Sequence, residues 1–169
     1  MFAGKTTELI RRVALARASQ RRVVVLKPTR DSRSAADEIA THSGTRFEAR
    51  SVECAADMVA LTCGVEILAI DEVHFFGSEL VSVLPQLLTS PRVIIVSGCD
   101  LDHFGEVFEP FPALLQRADE IVRLNGCCAK CGAPSTHTQR KSHARERIVV
   151  GGSGEYEARC AACFIPTAR

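Results

Sequence analysis

The chain has almost no net charge: 21 Lys and Arg stand against 20 Asp and Glu, a formal balance of +1 at pH 7. That balance, with no basic stripe, excludes the bulk attraction that holds proteins on DNA, RNA or anionic membranes, so any phosphate must be bound locally. No apolar run approaches the about 18–20 residues that cross a bilayer. The N-terminal stretch alternates charge with aliphatics where a secretory signal would carry an apolar core. The absences read as a soluble, cytoplasmic protein with no membrane or nucleic-acid partner. There is also no internal repeat and no low-complexity tract. What remains, in 169 residues of which 46% are hydrophobic, is one compact domain with a small appendage at most.

Cysteine, by contrast, is abundant, with eight in the chain. Cys54, Cys63 and Cys99 are scattered, and scattered cysteines are expected to behave as small buried hydrophobes. Cys127, Cys128, Cys131, Cys160 and Cys163 crowd into the last quarter. Without a secretory signal their spacing matters more than their parity. Cys128-x-x-Cys131 and Cys160-x-x-Cys163 offer four thiolates to one tetrahedral ion, with Gly132 easing the bend of the first turn. Structural Zn²⁺ outweighs a redox dithiol, because neither pair sits in a strand-helix context. Cys127 lacks the x-x spacing, and His137 and His143 read as solvated bystanders.

Between the ends, apolar runs alternate with helical periodicity. Leu9, Ile10, Val13, Ala14 and Leu15 predict a helix over 6–18. The β-branched runs at 23–26, 67–70, 93–96 and, more weakly, 121–124 suit strands buried on both faces, and 55–61 and 79–88 read as helices. This is an α/β layer fold with a mainly parallel sheet. From about Asn125 the pattern changes to cysteine pairs, a polar basic stretch over 136–147, the run Ile148 to Val150 and a glycine cluster. A boundary near Leu124 divides residues 1–124 from 125–169.

Gly4-Lys5-Thr6 opening the first helix looks like the end of a phosphate-binding loop. Glycine lets backbone N–H groups approach phosphate, lysine bridges the outer phosphates, and the hydroxyl takes a Mg²⁺ position. Alone the tripeptide weighs no more than an ordinary helix cap. Ile67-Leu68-Ala69-Ile70-Asp71-Glu72 adds a strand ending in two acids, the first suited to the Mg²⁺ shell and the second to taking a proton from an attacking hydroxyl. The two half-motifs together favour phosphoryl transfer over a solvated strand end.

With these residues in place the chain resembles the zinc-containing, P-loop type of thymidine kinase family. The resemblance runs through Met1 to Leu9, Lys27-Pro28 with Asp31-Ser32-Arg33, Asp71 to Phe76, Gly98 to Phe108, the two CxxC pairs, and Val150-Gly151-Gly152 followed by Tyr156 to Cys160. It implies a P-loop (RecA-like) parallel sheet flanked by helices, with a small C-terminal zinc-ribbon or lasso domain. It also implies that the first strand and the upstream part of the phosphate loop are missing from this chain, as in a fragment or a start assigned too late. The implied reaction moves the γ-phosphate of ATP, with Mg²⁺, to the 5′-hydroxyl of thymidine. Glu72 would be the general base. Met1, Phe2, Ala3, Gly4, Lys5 and Thr6 would contact ATP and Mg²⁺, as would Asp31, Ser32, Arg33, Asp71, Glu72, Val73 and His74. Met1, Phe75, His103 and Phe108 would line the nucleoside site. Thr138, Arg147, Ile148, Val149, Val150, Gly151 and Tyr156 would close over it from the lasso. A homotetramer is the assembly implied.

This chain departs from the family pattern in several places. His74 stands where the family has glutamine, His103-Phe104 where it has Phe-Arg, Val107 where it has proline, and Ser34 where it has tyrosine. His103 thereby occupies the position of the aromatic that stacks on thymine. Two alternatives are a relative that keeps the fold with impaired catalysis and a zinc-ribbon P-loop ATPase acting on nucleic acid.

Overall fold

The computed structural model describes every residue except Ala36, His42, Ser90, Arg92 and the stretches 143–145 and 167–169. Its centre is a parallel sheet of four strands: β1 (Val23–Pro28), β4 (Arg50–Val52), β5 (Ile67–Ile70) and β6 (Val93–Val96), in the spatial order β4-β1-β5-β6. Val23 pairs with Ile67 and Ile67 with Val93, so β1, β5 and β6 run in step, and β1 continues two residues past the ends of β5 and β6. Between β1 and β4 lies a short antiparallel pair, β2 (Glu38–Ala40) and β3 (Arg46–Glu48).

The strands alternate side chains between two cores, which is why they read as unbroken apolar runs. On one face Val25, Ala69 and the partly buried Ile95 meet Leu9, Ile10 and Val13 of α1 (Lys5–Ala18). On the other, Leu26, Leu68 and Ile70 meet Met58 of α2 (Ala55–Ala60), Leu80, Leu84 and Leu87 of α3 (Gly77–Leu87), and Leu114 of α4 (Phe111–Arg117). The expected strand over 121–124 is not formed. Ile121 and Val122 are about half exposed and the segment is irregular, pairing with no strand among the described residues.

From Gly126 the chain builds two small hairpins, β7 (Gly126–Cys127) with β8 (Pro134–Ser135) and β9 (His137–Arg140) with β10 (Tyr156–Arg159). The first wraps the turn holding Cys128 and Cys131, where Gly132 takes φ 77° and donates its N–H to the Cys128 carbonyl at 2.8 Å. Gly126 lies hard against the N-terminal segment: a Cβ there would come within 2.6 Å of the Phe2 carbonyl oxygen.

Candidate active site

The functional side chains gather at the carboxyl ends of β1, β5 and β6, the edge at which parallel α/β sheets bind ligands. Gly4 takes a left-handed φ of 76° just before α1, and this aims the first N–H groups of the helix into a cavity of about 440 Å³. Met1 to Thr6 line that cavity with Asp31, Arg33, Asp71 and Glu72. The Thr6 hydroxyl donates to Asp71 Oδ2 at 2.9 Å. Hydroxyl and carboxylate thus stand side by side, an oxygen-only donor set that suits Mg²⁺.

At the end of β1, the buried Lys27 folds the loop that carries Asp31 and Arg33. Lys27 Nζ donates to the Ala35 carbonyl at 2.6 Å and to Ser34 Oγ at 2.9 Å. Arg33 forks across two acids, with Nε on Asp31 Oδ1 at 2.6 Å and Nη2 on Glu72 Oε1 at 2.6 Å. Glu72 follows β5 in a left-handed conformation, φ 50°, which turns its side chain back over the sheet edge. Burial pushes the Asp71 carboxyl up, and the charge of Glu72 beside it adds to the rise. Burial acts on Glu72 in the same direction, but the neighbouring charges, Lys5 and Arg33 among them, outweigh it and hold that carboxyl low, so that it is ionised at neutral pH. Lys5 is raised above its ordinary range against the burial penalty by Cys99, Glu72 and Asp71.

A second, narrow slot of about 50 Å³ adjoins the first. Every residue that the resemblance assigns to the nucleoside lines it: Met1, Phe75, His103 and Phe108 from the sheet side, and Thr138, Arg147, Ile148, Val149, Val150, Gly151 and Tyr156 from the C-terminal unit. Arg147 Nε donates to the buried Asp102 at 2.6 Å and its guanidinium sits 5.2 Å over the Phe108 ring. The Tyr156 hydroxyl donates to the Val149 carbonyl at 2.9 Å and accepts Arg140 Nη2 at 2.8 Å. His103 is buried against Phe104, ring centroids 3.8 Å apart.

Three residues expected at ATP and Mg²⁺ lie elsewhere. Ser32 is exposed outside the cavity. Val73 is fully buried in the core, because the chain enters a 3-10 turn (Val73–Phe76) directly after Glu72 and points Val73 beneath the sheet edge. His74 lines the slot instead, its ring 4.5 Å from Phe75 and 4.9 Å from Phe108. Burial brings its pKa down to about 4 against the pull of Glu72, so it is a neutral imidazole. Cys99 and Leu101 also line the slot without having been singled out for it. Cys99 is half-buried, and Cys63 is exposed, so the scattered cysteines are not uniformly core. His137 is no bystander: it stacks on Phe164 at 4.5 Å and shares a hydrogen bond with Thr136. His143 falls outside the described residues.

The four sulfurs of Cys128, Cys131, Cys160 and Cys163 lie within 4.8 Å of one another, with Cys131 and Cys160 at 3.6 Å. The edge of a tetrahedron of thiolates around zinc is about 3.8 Å, so this set fits such an ion. No helix among the described residues is long and apolar enough to cross a membrane.

A family model described as thymidine kinase matches residues 1–164. The chain is 37% identical over 166 residues to a protein named thymidine kinase in Rhodothermus sp. (strain ITI 518), covering 98% of this chain and 78% of that one. It is 40% identical over 166 residues to one of the same name in Coprothermobacter proteolyticus, covering 95% of this chain and 84% of that one. Motif order, sheet-edge geometry and these matches agree, and the chain belongs to the thymidine kinase family.

Proposed function

We propose that the protein transfers the γ-phosphoryl group of ATP to the 5′-hydroxyl of thymidine. The observation that carries this is the position of Glu72 and Arg33, which line both the phosphate cavity and the slot. A hydroxyl presented from the slot meets the terminal phosphate at a carboxylate. The nucleoside oxygen bonds to the γ-phosphorus, the bond to the leaving ADP oxygen breaks, and the hydroxyl proton passes to Glu72. Because such transitions are loose, positioning and charge stabilisation supply most of the acceleration. Lys5 and Arg33 neutralise the phosphoryl oxygens, Thr6 and Asp71 hold Mg²⁺, and the bound ion supplies further charge neutralisation. Residues 125–169 act as the lasso unit on a nucleotide domain of 1–124, its ends tied by structural Zn²⁺ on the four cysteines. That anchoring lowers the ordering cost of covering the nucleoside. Its thiolates suit the reducing cytoplasm, where the protein works as a homotetramer.

The test is thymidine phosphorylation with Mg²⁺ and ATP by the wild type and by Glu72→Gln. The variant is expected to lose at least about 10²-fold in turnover with its fold intact. Near-normal turnover sinks the general-base role. Hydrolysis of ATP stimulated by DNA, with no thymidine product, would instead identify a nucleic-acid ATPase.

A further inference from the structure

The slot contains a donor set that phosphoryl transfer does not require. Ligand atoms of Glu72, His74 and Cys99 all lie within 4.8 Å of one another. They come from the end of β5, the 3-10 turn after it and the end of β6. Glu72 is divided between tasks: Oε1 accepts Arg33, while Oε2 faces His74 Nδ1 at 3.4 Å. That separation matches the edge of a tetrahedron with zinc bonds of about 2.0–2.1 Å, which is about 3.3 Å. The sulfur of Cys99, on a half-buried side chain that also meets the Lys5 ammonium, lies within reach of the third corner. His74 Nδ1 accepts a hydrogen bond from the Cys99 backbone N–H that is long, at 3.4 Å, and easily given up.

The donor types decide which ion is taken. Sulfur, imidazole nitrogen and one carboxylate oxygen suit Zn²⁺, Co²⁺ or Cd²⁺ and disfavour Mg²⁺, which demands oxygen ligands. Lys5 and Arg33 stand close and oppose a cation. Asp31, Asp71 and Glu72 outnumber them, so the acids of the cluster favour one. The thiol proton leaves to solvent when the ion binds, and nothing is oxidised or reduced.

We propose that Glu72, His74 and Cys99 form an inhibitory site for a thiophilic divalent cation, separate from the four-cysteine centre. A filled site occupies the carboxylate that receives the substrate proton and blocks the slot beside it. The inhibition rests on the function proposed above, whereas the binding does not.

The experiment uses the full chain with its four-cysteine centre already loaded with zinc, titrated with Co²⁺. The wild type is expected to take up a further equivalent with the absorption of a tetrahedral cobalt ion carrying one thiolate. Cys99→Ala and His74→Gln are expected to abolish that signal. The second variant installs the residue type usual for the family, so the two together guard against a folding failure. In parallel, half-inhibitory Zn²⁺ is measured at saturating Mg²⁺ and ATP, each variant against its own metal-free rate. It is expected to rise by about 10-fold or more in both variants. No further equivalent, or one that survives both substitutions, overturns the site. Cobalt uptake that both substitutions abolish, in a protein that does not phosphorylate thymidine, upholds the site and removes the proposed function alone.

Discussion

Arg33 holds two acids at once, and this shapes the site more than any other side chain. Nε and Nη2 embrace Asp31 at 2.6 and 2.9 Å, and the same Nη2 reaches Glu72 at 2.6 Å. A lysine ammonium cannot reproduce a planar fork of this kind. Arg33→Lys is therefore expected to lower kcat/KM for both substrates by about 10–100-fold with an unchanged circular dichroism spectrum. A change below about threefold would show that charge alone suffices at this position. Asp71 and Glu72 were legible in the sequence because an apolar strand that ends in acids must present them at the sheet edge. The link between Arg33 and Glu72 was not, since 39 positions separate them and nothing local marks the pair. Val73 shows the limit of adjacency: a left-handed turn at Glu72 sends neighbouring side chains to opposite sides, one to the site and one to the core.

Among the elements, the β9–β10 hairpin and the segment it grips form the cover of the slot. Arg140 lies beneath that segment and donates to the carbonyls of Glu146 and Arg147, while the Tyr156 hydroxyl fastens Val149. Tyr156→Phe keeps the ring and removes the fastening, a loss of about 1 kcal/mol or roughly fivefold. Steady-state kinetics should show it as a higher KM for thymidine with a smaller effect on kcat. Equal effects on the KM for ATP would indicate a general loss of structure. The hairpin could not be read from hydrophobic alternation, because its inward residues in β9 are Thr138 and Arg140, both polar and both buried. The opposite error occurs at 121–124, where β-branched composition suggested a strand and the sheet offers no partner. By contrast β5 and β6 have the bounds the apolar runs predict: β5 is buried on both faces, which leaves little freedom in composition, and β6 pairs with it residue for residue although it is the partly exposed edge strand.

Over the whole molecule, the α/β layering followed from the alternation of strands and helices, but the place of β4 did not. Its three residues, Arg50-Ser51-Val52, carry too little apolar signal to announce a strand beside β1. The four-cysteine centre was plain from spacing alone, because thiolate geometry is met by short local turns. Removing the metal with a chelator should lower the thermal midpoint and abolish the stabilisation that thymidine gives, since binding free energy at such a site is folding free energy. Scanning calorimetry with and without nucleoside tests this; thymidine protection that survives in metal-free protein would detach the lasso from its anchor. The close approach of Gly126 to the Phe2 carbonyl has a consequence for how such chains diverge and are engineered. A four-cysteine segment grafted from a relative would have to bring its own glycine at the seam, or the phosphate loop would need to be exchanged with it. The Phe2 segment and Gly126 form a matched pair that such an exchange would have to keep together.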